Sequence, residues 1–165
     1  MAVTLPPFQT LLDEHAPDLH RFLVASVGPH DGADRFQETV VSALRAYPDL
    51  RNADNLRGWL FTIAHRKVVD LARRSGRGAL PVAEPPEVAV ADRTGRADDH
   101  VDGELLAAVR ALPPKQRTAV VQRYLLDRPY TEVAAVIGCS EDAARQSVRA
   151  GLQRLRQDLA TEVTA

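Results

Sequence analysis

The chain has a single cysteine, Cys139, among 165 residues. A lone thiol closes no internal disulfide, and with no second cysteine to resolve it, a packing role in a tight corner fits it better than redox sensing. Long apolar runs are missing too, and nothing approaches the roughly 18 consecutive residues that a membrane span needs. Residues 1–8 lack the basic stretch followed by an apolar run of a signal peptide. These absences together predict a cytoplasmic protein without membrane insertion. Aromatic residues make up only 5% of the chain, so the core must be built from Leu, Val, Ala and Ile. Charge of one sign is absent as well. Lys and Arg number 21 against 22 Asp and Glu, so any nucleic-acid contact has to come from a local basic face. The five histidines, at 15, 20, 30, 65 and 100, show no zinc-ligand spacing with Cys or Glu. No phosphate-cradling glycine loop, nucleophile elbow or Ser-His-Asp set is found. The expectation is a protein with no catalytic residues, no metal and no cofactor.

What is present is helical periodicity. Phe8, Leu11, Leu12, Leu19, Phe22 and Leu23 recur at helical spacing, with Pro17 read as a break or kink. Residues 28–32 read as a turn. Phe36, Val40, Ala43, Leu44 and Tyr47 mark a second helix ending before Pro48, and a polar loop covers residues 49–54. Leu56, Leu60, Ile63, Ala64 and Leu71 give a third stripe, ending near Arg74, for which Asp54 or Asn55 is a candidate cap. Between Ser75 and Asp99 the period disappears amid Gly76, Gly78, Pro81, Pro85, Pro86 and Gly95, a linker composition. Periodicity returns with Leu105, Leu106, Val109 and Leu112, breaks at Pro113 and Pro114, and resumes through Val120, Val121, Tyr124 and Leu125. Two last helices are expected over residues 131–137 and 142–159. The fold class is all-α: two small helical domains, 1–75 and 101–165, joined by a flexible linker, 76–100, with a helix-turn-helix in the second.

That motif is carried by residues 130–156. Thr131 is a candidate cap for a short helix whose Val133, Ala134 and Ile137 face inward, while the small Ala134 and Ala135 suit a close crossing. Gly138 stands where a helix end calls for positive φ, and Ser140 is placed to cap the next helix. On that helix Ala144, Val148, Leu152, Leu155 and Leu159 form the buried stripe, and Arg145, Arg149, Gln153 and Arg156 share another face. Arg pairs bidentately with guanine and Gln with adenine, and either holds phosphate. A charged face alone is ordinary for a bundle helix; the preceding short helix and turn favour DNA. Glu141 and Asp142 suit the helix dipole but would repel phosphate.

In the first domain the third helix carries Trp59 and Phe61, then His65, Arg66, Lys67, Arg73 and Arg74 against the single Asp70. Rings beside cations suit unpaired DNA, although Trp59 suits a core position equally well and some of the cations merely complement the helix C-terminus. Asp34, Arg35, Gln37 and Glu38 form a polar patch that by itself reads as a solvated face.

Taken in order, these segments resemble the extracytoplasmic-function sigma factors of RNA polymerase over nearly the whole chain outside the linker. Ala33-Asp34-Arg35-Phe36-Gln37-Glu38-Thr39 resembles the family's helix that docks on the polymerase clamp. The stretch from Asn55-Leu56-Arg57-Gly58-Trp59 to Asp70 resembles its segment for melting and holding the minus-ten element. Leu112-Pro113-Pro114-Lys115-Gln116-Arg117 and Tyr130-Thr131-Glu132-Val133-Ala134 resemble the opening of its second domain and the start of its helix-turn-helix.

The resemblance implies an alternative sigma factor that binds core RNA polymerase and promoter DNA. Asp34, Gln37 and Glu38 would contact polymerase. Asn55, Trp59, His65, Arg66, Lys67, Arg73 and Arg74 would contact the minus-ten element, with the loop 49–55 receiving a flipped-out base. Arg145, Gln146, Ser147, Arg149 and Gln153 would contact the minus-thirty-five element. The acidic linker residues Glu84, Glu87, Asp92, Asp98 and Asp99 fit a nucleic-acid mimic or an ordinary tether. Free domains on a tether are compatible with an anti-sigma partner, for which no residue carries a signature. Arg66 stands where the family often has Asn, and Asp142 to Ser147 depart from its Gly-Thr-Val-Lys-Ser-Arg, so promoter sequence is not inherited. Another reading is a stand-alone helix-turn-helix regulator that binds duplex DNA without polymerase.

Overall fold

The computed structural model describes residues 3–78 and 98–164. Seven α-helices build it: α1 (Phe8–Val27), α2 (Pro29–Ala46), α3 (Leu56–Gly78), α4 (Asp98–Ala111), α5 (Pro114–Val120), α6 (Tyr130–Ile137) and α7 (Glu141–Thr164). No strand occurs among the described residues. The polar loop expected at 49–54 is present, after a short 3₁₀ turn over Tyr47–Asp49.

α1 and α2 form a hairpin whose turn is the single residue Gly28, at φ 93°. The wider turn expected over 28–32 is therefore absent: Pro29 opens α2 at its first position, where its missing N–H costs nothing. Gly32 lets the two helices meet, since a Cβ there would lie 2.9 Å from the Val24 Cα. Pro17 does not break α1, which runs through it. Its ring lies on the exposed face, where solvent can satisfy the carbonyl left without a donor. α3 crosses both helices and closes a core of Leu19, Phe22, Leu23, Ala43, Leu60 and Phe61, with Phe22 and Phe61 edge to face at 5.7 Å.

In the second domain the helix expected to continue through Leu125 changes pitch. Val121–Leu125 is a π turn, from which Gln122 accepts the Arg128 N–H at 2.9 Å. Pro129 rather than Thr131 occupies the position before α6, where no side chain makes a capping bond, and Thr131 lies inside the first turn. Gly138 ends α6 at φ 70°, and the Ser140 hydroxyl accepts the Ala143 N–H at 3.1 Å, as the sequence pattern predicts. Ala134 is buried at the crossing of α6 with its neighbours, whereas Ala135 is exposed and takes no part in it. Gly151 brings α7 against α5, with space for a Cβ denied by the Val120 methyl at 2.7 Å.

Helices occupy 76–78 and 98–100, which the sequence pattern assigns to the linker. The rest of that segment, with Glu84, Glu87 and Asp92, lies outside the described residues. The two domains pack together: α1 and α3 lie against α4, α5, α6 and the π turn, and the buried side chains of both join one cluster.

Candidate nucleic-acid interface

α7 presents the expected polar face. Arg145, Gln146, Arg149 and Gln153 are exposed and Ser147 is half-buried, while Ala144, Val148 and Leu155 are buried on the other side. The capped turn sets the direction of this face, because Gly138 and Ser140 fix where α7 starts relative to α6. Arg145 is not free at rest. It donates to the Glu141 carboxylate at 2.6 Å, lies 3.5 Å from the Asp142 carboxylate, and stacks over the Tyr130 ring at 4.9 Å. The acidic pair at the start of α7 thus balances the charge of Arg145. Arg123 lies near the same ring, 5.0 Å away. Tyr124, Tyr130, Arg145, Arg149 and Arg156 line a shallow cleft of about 250 Å³. The sequence pattern missed Tyr124 and Tyr130 as members of this face, because they come from the π turn and from α6.

On α3, the Asn55 side chain accepts the Gly58 N–H at 2.9 Å and so starts the helix. Its carboxamide is engaged in a cap while remaining exposed beside the loop. Trp59 is half-buried, its ring 5.9 Å from that of Tyr47, which in turn donates to the Pro6 carbonyl at 2.6 Å. One part of the Trp59 ring thus packs in the domain and the rest faces outward. Arg66, Arg73 and Arg74 are exposed and Lys67 is half-buried.

His65 departs from this group. It is only 7% exposed, and its Nδ1 lies 2.8 Å from the Thr118 hydroxyl of α5, across the seam between the domains. Burial, reinforced by Lys115 and Arg66, lowers its pKa from 6.5 to about 4, so the ring is neutral there. The seam holds other polar groups that the sequence did not single out. Arg117 donates to the Ser26 carbonyl at 2.9 Å and to the Leu112 carbonyl. Arg57 stacks on Phe61 at 4.1 Å and pairs with Asp18 at 3.3 Å; burial foremost, then nearby Arg128, lowers its pKa.

Asp34, Gln37 and Glu38 are all exposed on α2, with Glu38 held by Arg35 at 3.2 Å. The same face continues into Val41 and Leu44, apolar side chains left 47% and 53% exposed. A polar patch running into uncovered aliphatic residues is suited to docking on protein. His30, Asp31 and Asp34 bring potential ligand atoms within 4.8 Å of one another at the start of α2, but the group is largely solvent-facing.

Residues 11–78 match the model of Sigma-70 region 2, and residues 102–155 match that of Sigma-70 region 4. The chain is 31% identical over 145 residues to the ECF RNA polymerase sigma factor SigC of Mycobacterium tuberculosis, covering 86% of this chain and 77% of SigC. The chain belongs to the ECF RNA polymerase sigma factors. It is thus a promoter-recognising transcription initiation factor. It is also 30% identical to the ECF sigma factor SigE of Mycolicibacterium smegmatis, over 94% of this chain but 63% of that longer protein. The fold resembles that of the sigma factor RpoE from Bartonella quintana, solved with the anti-sigma factor NepR, at a TM-score of 0.71 and 23% identity over 94% of this chain and 98% of RpoE. No described helix of this sigma factor is long and apolar enough to cross a membrane.

Proposed function

We propose that this sigma factor divides promoter recognition between its two domains and has no catalytic activity of its own. The first domain docks on core RNA polymerase through Asp34, Gln37 and Glu38 on α2. Its α3 holds the melted minus-ten strand, with Trp59 supporting a base and Arg66, Lys67, Arg73 and Arg74 following the backbone. The second domain reads the minus-thirty-five element in duplex form through Arg145, Gln146, Ser147, Arg149 and Gln153. Such a protein works in the cytoplasm, where polymerase and chromosome are. An anti-sigma protein is a further partner in this reading, by analogy with the RpoE–NepR complex.

The observation that carries the division is the match of one chain to both sigma regions, each with an exposed cationic helix face. Run-off transcription with purified core polymerase and a genomic promoter library tests it. Core plus this chain should give discrete transcripts that core alone does not. Tight, sequence-specific binding to duplex DNA by the chain alone, with no transcripts in the presence of core, would instead identify a stand-alone regulator.

A further inference from the structure

A cavity of about 350 Å³ takes its wall from both domains. Ser26 and Asp31 line it from α1 and α2, and Arg110 and Arg117 from α4 and α5. We propose that this cavity is a binding site for a small phosphate monoester, with the two guanidiniums and the Ser26 hydroxyl as donors to the phosphate oxygens.

Arg117 is held in place by its own domain and its neighbour. Its Nε and Nη2 donate to the Leu112 carbonyl at 3.2 and 2.9 Å, and its Nη1 donates to the Ser26 carbonyl at 2.9 Å. A guanidinium carries more N–H groups than these bonds use, so donors remain on both terminal nitrogens. Arg110 comes from α4: its Nη1 lies 3.6 Å from where a Cβ on Gly28 would stand, so its head rests on the turn between α1 and α2. Two positive charges thus converge in a partly desolvated place. Burial first, and the charge of Arg110 second, lower the pKa of Arg117. No ion pair among the described residues includes either arginine. The acidic residue in the wall, Asp31, pairs with neither; it stands in the first turn of α2, where the helix dipole favours its charge.

The third donor is an orphan. Ser26 is fully buried, and its hydroxyl finds no hydrogen-bond partner among the described residues. Such a group costs free energy until something pairs with it. Water would pair with the hydroxyl, but it would not balance two guanidiniums. An oxyanion does both, and phosphate oxygens accept from arginine forks in the favoured bidentate geometry. The volume stands near the lower end of the range of about 300–1,000 Å³ for small-molecule sites, which fits a small ester. Val27, Leu71 and Ala72 offer its carbon part an apolar wall.

Calorimetric titration and thermal unfolding of the full chain, with phenyl phosphate as the probe and ionic strength held by potassium chloride, test the site. The unfolding midpoint should rise with probe concentration, as for any ligand of the folded state, and chloride alone should not raise it. Arg110→Gln, with helical circular dichroism retained, should weaken binding about tenfold. Ser26→Ala should weaken binding several-fold while the unliganded protein unfolds at the same or a higher temperature, because the orphan hydroxyl is gone. A lower unfolding temperature with unchanged affinity would refute the part given to Ser26. Inorganic phosphate should bind more weakly than the ester; equal binding would refute the apolar wall's part. Binding that survives Arg110→Gln but is lost in Arg149→Gln would put the anion on α7 and overturn the site. Absence of both heat and midpoint shift in the parent overturns it outright.

Discussion

Lowering the pH should loosen the packing between the two domains, from the closed form in which His65 is buried against Thr118 to an open one in which it meets water, and the size of the effect follows from one side chain. In the closed form His65 is buried with a pKa of about 4, while an exposed histidine has 6.5. The closed form therefore binds fewer protons at this site than the open one. Closure is at full strength above pH 6.5 and weakens as the pH falls toward 4. Between about pH 7.5 and about pH 5.5 the open-to-closed ratio should rise about tenfold, equivalent to about 1.4 kcal/mol. His15 contributes in the same direction, because burial foremost lowers its pKa and Arg128 of the second domain is among the charges acting on it. The charges acting on His65 are Lys115 and Arg66, both positive, so no carboxylate offsets the effect. The assay is energy transfer across the seam at fixed ionic strength, in a Cys139→Ser chain labelled at Glu14→Cys on α1 and Gln157→Cys on α7, both exposed positions. It is run in parallel on His65→Asn, which keeps a polar group of similar reach without its titration. A tenfold shift in the parent with a much smaller one in the variant is expected. Equal shifts in the two proteins, or none in either, would show that burial of His65 does not govern closure.

Arg149→Ala should weaken minus-thirty-five recognition by roughly 1–3 kcal/mol if the guanidinium pairs bidentately with a base; competition binding with polymerase holoenzyme measures it, and unchanged promoter preference would remove that role. Trp59→Ala should reduce open-complex formation, read by permanganate reactivity of unpaired thymines, more than it reduces affinity for core; a collapse of the thermal transition would mean that the ring is mainly core. Ser140→Ala deletes the hydroxyl that accepts the Ala143 N–H and should destabilise the second domain by about 1 kcal/mol, seen as a lower midpoint in urea with an unchanged slope.

The elements that sequence reasoning found are those fixed by local chemistry. Gly138 and Ser140 could be read because a left-handed helix end and a hydroxyl cap depend on residues adjacent in the chain. The α7 stripes followed from periodicity alone. Pro17 misled because proline's cost depends on whether the abandoned carbonyl meets water, which the tertiary structure decides. The turn at Gly28 was read too long for a similar reason: a one-residue connection needs Gly32 packed on Val24, a contact between helices. The seam was the least legible feature. Thr118 looks like an ordinary polar position, Arg117 like part of a motif, and His65 like one more cation in a basic run. Their pairing is 53 residues apart for His65 and Thr118 and 91 for Arg117 and Ser26, with no periodicity to announce it.

The ion pair between Arg145 and Glu141 bears on the proposed reading of duplex DNA by the second domain. A guanidinium whose charge is already balanced exerts little long-range pull on passing phosphates, so it adds little to the salt-sensitive grip on arbitrary sequence. If Arg145 reads a base as proposed, swapping the glutamate for a guanine edge would be worthwhile only where that edge is in register; elsewhere the side chain would keep its resting partner. Discrimination in such a reader comes from exchange rather than attraction, which suits a protein outnumbered by competing sites.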